Sequence, residues 1–219
     1  MATIEPCVLT TSVDQLPNAE EHVFSALNMP REKVMEDFDD YFEDTRDTCF
    51  ECLECRGMFK SIPIERIEGN TLYIEGGATF ESELLAKVLQ RADELVLYVV
   101  TLHGCDQILN NPDNDMFESM FYNGWCIGLS MGSHRWIKQA IADRVRAAGR
   151  YVGRGWVPGS EGLGLETQGT LFELLDPTQI DVVLDDNMLM RPIMSLAGFM
   201  GISDDPEIEN DGSDIVDYH

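Results

Sequence analysis

Positive charge is scarce in this sequence. Fifteen Lys and Arg stand against forty Asp and Glu, a formal net charge of -25. A chain so acidic is repelled by nucleic acid and by anionic membrane surfaces, so neither is expected as a partner. Long apolar runs are also lacking, and none approaches the about eighteen residues that a spanning helix requires. The opening stretch, MATIEPCVLTTSVDQLP, has no basic segment followed by an apolar one. No secretory signal is read there, and a cytoplasmic setting is expected. In that setting the six cysteines are expected to be thiols or metal ligands rather than a disulfide framework. A Walker loop, a G-x-S-x-G elbow and an H-E-x-x-H pair are all missing, which leaves hydrolysis and phosphoryl transfer without machinery.

What is present suffices for a core. Hydrophobic residues make up 44% of the 219 and charged residues 25%, ordinary values for a globular chain. Residues 32–54 are dense in acid, yet Val34, Phe38, Tyr41 and Phe42 recur at helical spacing, which predicts an acidic helix with one apolar stripe. MFKSIPIERIEG and NTLYIEGG read as two strands around Gly69-Asn70, a hairpin. Leu84, Leu85, Val88, Leu89 and Ala92 share a helical face. Leu95 to Leu102 is a continuous apolar run of strand length, expected at the centre of a sheet. Two helices are expected over 113–131 and 133–148. Glu166 to Leu175 resumes helical spacing, Ile180 to Leu184 reads as a strand, and MLMRPIMSLAGFMGI is extended with a break at Pro192. Helices interleaved with few strands predict an α+β domain. Its expected divisions are an acidic, Cys-containing helical segment over 1–57, a core over 58–202, and an acidic flexible tail over 203–219.

Two segments depart from the average. Arg135, Lys138, Arg144, Arg146, Arg150 and Arg154 fall within twenty residues that hold one acid, Asp143. They read either as a solvated helix face whose last cations favour the dipole, or as a positive patch for an anionic ligand or partner. Residues 149–165, GRYVGRGWVPGSEGLGL, hold six glycines, so the chain turns tightly there or brings backbone close to something.

Several residues are candidates for chemistry. Cys49, Cys52 and Cys55 form a C-x-x-C-x-x-C run whose thiolates could hold an iron–sulfur cluster, with a fourth ligand among Cys7, Cys105 and Cys126. Asp47, Glu51 and Glu54 raise the thiol pKa and oppose an anionic cluster, so three core thiols are the competing reading. His103 follows the apolar run at a usual place for a functional loop. Trp156, inside the glycine-rich loop, is the tryptophan expected to meet a ligand, with Trp125 and Trp136 expected in the core. Asp185-Asp186-Asn187 is a weak cation signal.

The stretch from Arg154 to Gly201 resembles the activation domain of cobalamin-dependent methionine synthase. That family carries an Arg-x-x-x-Gly-Tyr loop, a helix ending Leu-Leu-Asp, then Leu-Thr-Glu-Ser with Met and Pro following, and Ser-Val-Ser-Gly. Here the chain shows Pro158-Gly159, Gln168, Leu174-Leu175-Asp176, Ile180, Leu184, Asp186, Met190, Pro192, Ser195 and Gly198, without a gap from Leu174 onward. The resemblance implies a central, mostly antiparallel twisted sheet flanked by helices. It also implies S-adenosylmethionine held at Arg154, Gly155, Trp156, Pro158, Gly159, Ser160 and Asp186. The implied partner is a corrinoid-binding protein or methyltransferase, whose oxidised cobalamin is methylated again while the chain covers it. No acid–base residue is implied by that role. In register, Gly155 stands at the family's arginine and Ser160 at its tyrosine, with Arg154 one residue early. Three functions follow from the sequence: this reactivating accessory, a corrinoid or tetrapyrrole-binding module without S-adenosylmethionine, and an iron–sulfur redox protein. Homo-oligomerisation is left open.

Overall fold

A computed structural model describes residues 3–160 and 162–212. Its elements run β1 (Cys7–Ser12), α1 (Ala19–Leu27), α2 (Arg31–Asp37), α3 (Asp39–Cys52), β2 (Glu54–Glu68), β3 (Thr71–Ile74), β4 (Thr79–Glu81), α4 (Glu83–Val88) and β5 (Glu94–His103). They continue with α5 (Cys105–Leu109), α6 (Met116–Ala147), β6 (Tyr151–Val152), α7 (Thr167–Leu175), β7 (Val183–Leu184), β8 (Met190–Arg191) and β9 (Ser195–Ser203). Among the described residues the main sheet has seven strands in the order β4-β3-β2-β5-β9-β6, with β1 also paired to β2. Every pairing is antiparallel. The fold is therefore α+β, an antiparallel sheet flanked by helices, as expected.

The stretch 95–100 of the central strand is a continuous buried run because both of its faces are covered. Val96, Tyr98, Val100 and Leu102 pack with α1, α3 and α6, while Leu95, Leu97 and Val99 join Phe199 and Leu171 beneath α4 and α7. An antiparallel strand alternates in polarity only when one face meets water, and β5 is buried on both faces up to Leu102. The hairpin at Gly69-Asn70 forms, but its first strand is fifteen residues long. Glu54–Pro63 pairs with β5 and the remainder projects outward to pair with β3. The expected division between residues 57 and 58 thus falls within one strand, and β1 and α1 belong to the same packed body as the rest.

Several local expectations are corrected. The acidic helix is two, α2 and α3, joined at Phe38, although Val34 and Phe42 on its stripe are buried as predicted. The two helices over 113–131 and 133–148 are one, running Met116–Ala147. Its start is secured by Asp115 and Glu118 in a reciprocal capping box. Gly132, at the boundary between the two expected ranges, is a site of contact: a Cβ there would lie 3.1 Å from Leu16 Cβ and 3.2 Å from the Pro17 carbonyl. Of the expected strand over 180–184 only Val183–Leu184 forms, because Ile180 closes a 3-10 turn, Pro177–Ile180. The expected tail begins inside β9, and Pro206–Asn210 packs back with Ile208 fully buried. Residues 213–219 of that tail lie outside the described residues.

One charged network ties the sheet to the end of α6. Arg150 reaches Asp93 at 2.8 Å and Asp204 at 2.6 Å, and also Glu94, whose carboxylate accepts from Ser61 Oγ. Glu94 is 4% exposed, so its carboxylate is inside the protein, while Arg150 is partly buried above it.

Candidate functional site

The glycine-rich loop leaves β6 along the free edge of β9. Trp156 makes one isolated antiparallel bridge to Phe199, exchanging both backbone hydrogen bonds at 2.9 Å. Its indole turns inward, 4% exposed, against Val88 and Gly212, and Arg154 lies over its ring. Trp156 is therefore core, contrary to the expectation that it meets a ligand. Trp125 is buried and donates to the Phe42 carbonyl, as expected of a core tryptophan. Trp136 is half-buried against Gly57.

With Trp156 turned inward, the loop borders two separate concavities. The first is a cleft of about 270 Å³ lined by Val157, Pro158, Leu165, Gln168, Met190, Leu196 and Ala197, among others. Its walls come from the loop, the start of α7 and the β7–β8 hairpin. Leu165, Met188, Leu189 and Ile193 stand exposed around it. The hairpin turn is held by Asp185, which accepts from the backbone N–H groups of Asn187 and Leu189. Those bonds, with the Leu189 N–H first, hold its carboxyl below the usual aspartate value. Asp186 beside it is exposed at the turn and does not line the cleft. Gly159 closes a tight turn at φ 88°, and Ser160 Oγ donates to the Val157 carbonyl, so both shape the loop.

Gln168 was not singled out as a site residue by its sequence. It is 3% exposed, it lines the cleft, and its Oε1 has no hydrogen-bond partner. An unpaired buried amide oxygen costs about 1–3 kcal/mol, which a ligand N–H or O–H would return. Only the folded loop, by closing over the start of α7, makes this residue conspicuous.

The second concavity is a groove of about 540 Å³ between α6 and the loop, lined by Arg135, Lys138, Arg146, Arg154, Gly155 and Met200, among others. Of the predicted site residues, Arg154 and Gly155 line this groove, Pro158 lines the cleft, and Trp156 and Asp186 line neither. Under the groove, Tyr98 donates toward or accepts from His134 Nε2 at 2.8 Å, both rings being buried. The Tyr98 hydroxyl lies over Gly198, where a Cβ would come within 2.2 Å of it. Within the run LVLYVVTL the lone phenol signalled a buried polar partner, but a partner 36 residues away is not legible in sequence.

The cysteine run does not converge. Cys49 ends up buried in α3 beside Cys126 of α6, Cys52 is exposed at the helix end, and Cys55 is buried in β2. The chain passes from helix to strand within this run, which sends the three thiols to different surroundings. No group of three His, Cys, Asp or Glu side chains is placed to share a metal ion among the described residues. Burial pushes Cys55 and Cys105 up to about 12, and Cys126 is raised by its bond with Cys49 and by burial. In native buffer Ellman's reagent should therefore titrate Cys52 and half-buried Cys7 quickly, and the other four only on unfolding. Rapid reaction of a third thiol would contradict this packing. His103 pairs with Glu54 across β2 and β5, and its Nδ1 is buried without a partner.

No helix of the described residues is long and apolar enough to cross a membrane. No family model matches the sequence, and a search of curated proteins returns no match. Among solved structures, the chain is similar to the crystal structure of the MetH reactivation domain bound to AdoHcy, with a TM-score of 0.71 and 15% identity. That likeness covers 90% of this chain and 78% of the other. The curled antiparallel sheet with its flanking helices matches that neighbour, and the chain has a reactivation-domain-like fold.

Proposed function

We propose that the chain binds S-adenosylmethionine or its demethylated product at the glycine-rich loop and serves as an accessory to a corrinoid-dependent methyltransferase. One observation carries the reading: Gln168 Oε1 is buried, unpartnered and part of the wall of the cleft beside the loop. An adenosine offers what that wall lacks, a donor on its amino group or ribose and flat apolar surface for Val157, Pro158, Leu196 and Ala197. Pro158, Gly159 and Ser160 shape this wall, and Gln168 joins them in the proposed site. The structural neighbour's AdoHcy supports the same class of ligand.

S-adenosylmethionine held there would supply a methyl group to reduced cobalt on a separate corrinoid protein and leave as S-adenosylhomocysteine. The chain's own residues bind and orient, and no acid–base group is needed. The exposed apolar rim of Leu165, Met188, Leu189 and Ile193 is where the partner would cover the cleft. Calorimetry with S-adenosylmethionine and S-adenosylhomocysteine tests the reading. Gln168→Leu should weaken binding by about tenfold or more, since about 1.4 kcal/mol separates each factor of ten. Melting of the variant serves as the check on folding. Absence of heat at millimolar ligand ends the reading and leaves a corrinoid-binding module that lacks this ligand.

A further inference from the structure

Arg154 and Arg191 line different concavities. Arg154 donates to the Gly212 carbonyl at 3.0 Å, lies over the Trp156 ring and borders the α6 groove rather than the cleft. Arg191, the last residue of β8, lines the cleft together with Gln168. It is exposed, and among the described residues it is the one charged side chain on that wall. Asp185 at the hairpin turn feels its charge, but the Asp185 carboxylate is held by the N–H groups of Asn187 and Leu189. The remaining lining is apolar except for Ser195, whose Oγ is engaged with Thr101 Oγ1 and the Pro192 carbonyl. Two polar groups are thus left to meet a ligand in this cleft, the Gln168 amide oxygen and the Arg191 guanidinium.

We infer that Arg191 makes the cleft selective for an adenosine that carries an α-carboxylate; the assignment rests on the adenosine reading of the cleft and names the other end of the ligand. Gln168 offers an acceptor and Arg191 a fork of donors, on a wall that is otherwise apolar. S-adenosylmethionine and its product have matching parts. Their base and ribose carry donors, the thioether or sulfonium chain is largely apolar, and the amino acid ends in a carboxylate. A guanidinium meets a carboxylate through two parallel N–H···O bonds, which fixes direction as well as charge. In a chain of net charge -25 a carboxylate is held only beside a local cation, and on the cleft wall that cation is Arg191. The resemblance in sequence gave this part of the ligand to Arg154, which borders the other concavity.

The test compares S-adenosylhomocysteine with methylthioadenosine, which keeps the adenosine and the thioether and lacks the amino acid. Both are titrated calorimetrically into the full chain at physiological salt. The parent should bind S-adenosylhomocysteine about tenfold or more tightly than methylthioadenosine. Arg191→Gln should abolish that preference by weakening S-adenosylhomocysteine alone, and its unchanged binding of methylthioadenosine shows that the variant is folded. Gln168→Leu should weaken both ligands. Equal affinity of the parent for the two overturns the inference and leaves the adenosine reading standing, as does an Arg191→Gln variant that keeps the preference. Loss of the preference in Arg154→Gln but not in Arg191→Gln would put the carboxylate in the α6 groove, and overturns it too. No heat from either ligand ends the adenosine reading itself, and this assignment with it.

Discussion

Gly128→Val should lower the stability of this protein by about 3 kcal/mol, near the upper end of what overpacking costs. Gly124, Gly128 and Gly132 lie four residues apart on α6 and face α1. At Gly128 a Cβ would stand 2.6 Å from the Ala19 carbonyl oxygen and 2.6 Å from Val23 Cγ2. The first of these is backbone and cannot yield without moving α1. Intrinsic propensity argues the other way, since glycine in a helix interior costs about 1 kcal/mol relative to alanine. Gly124→Ala separates the two effects. There the nearest atom is Leu27 Cδ2 at 3.0 Å, the far end of a flexible side chain, so the helix preference should roughly offset the crowding. Thermal unfolding of both variants checks the argument. At about 2–4 °C per kcal/mol for a chain of this size, the valine variant should melt several degrees lower and the alanine variant close to the parent.

Breaking the Arg150–Glu94 pair should cost as much or more. Arg150→Met leaves the Glu94 carboxylate buried with Ser61 Oγ and no cation; removing one member of a fully buried pair costs about 3–5 kcal/mol, and the partial exposure of Arg150 places this loss at about 3 kcal/mol. The double variant Arg150→Met/Glu94→Leu should recover most of that loss. Its residual cost falls on Ser61, which also accepts from the Ile4 N–H at 2.7 Å and would lose only its acceptor. Asp93 and Asp204, the exposed members of the network, can turn to water. Denaturant unfolding of the two single variants and the double one gives the coupling directly, and a double variant as unstable as Arg150→Met would refute the account.

How much could be read in advance differs by level. The central strand, the hairpin turn, α4, α7 and the loop of glycines each carry their cause within a dozen residues, and each was legible. The resemblance over residues 154–201 also named the right fold. The long helix α6 differs from the two expected helices, and the contact made by Gly132 at their boundary is with residues over a hundred positions upstream. The cysteine run was legible as a pattern but not as a site, because the helix-to-strand change after Cys52 separates its thiols. Trp156 was placed on the right loop and given the wrong direction. The bridge to Phe199 that turns it inward is a long-range pairing.

Composition and periodicity by themselves determined the acid excess, the α+β class, the buried strand and the concentration of cations before residue 155. These are sums over short stretches, and neighbours along the chain are enough to set them. Tertiary structure alone decided which cations share a groove, which thiols are hidden, and that Gln168 faces a cleft without a partner. Those outcomes depend on which surfaces meet across the sheet, and burial, the quantity that makes an amide oxygen or a thiol pKa unusual, exists only once they have met.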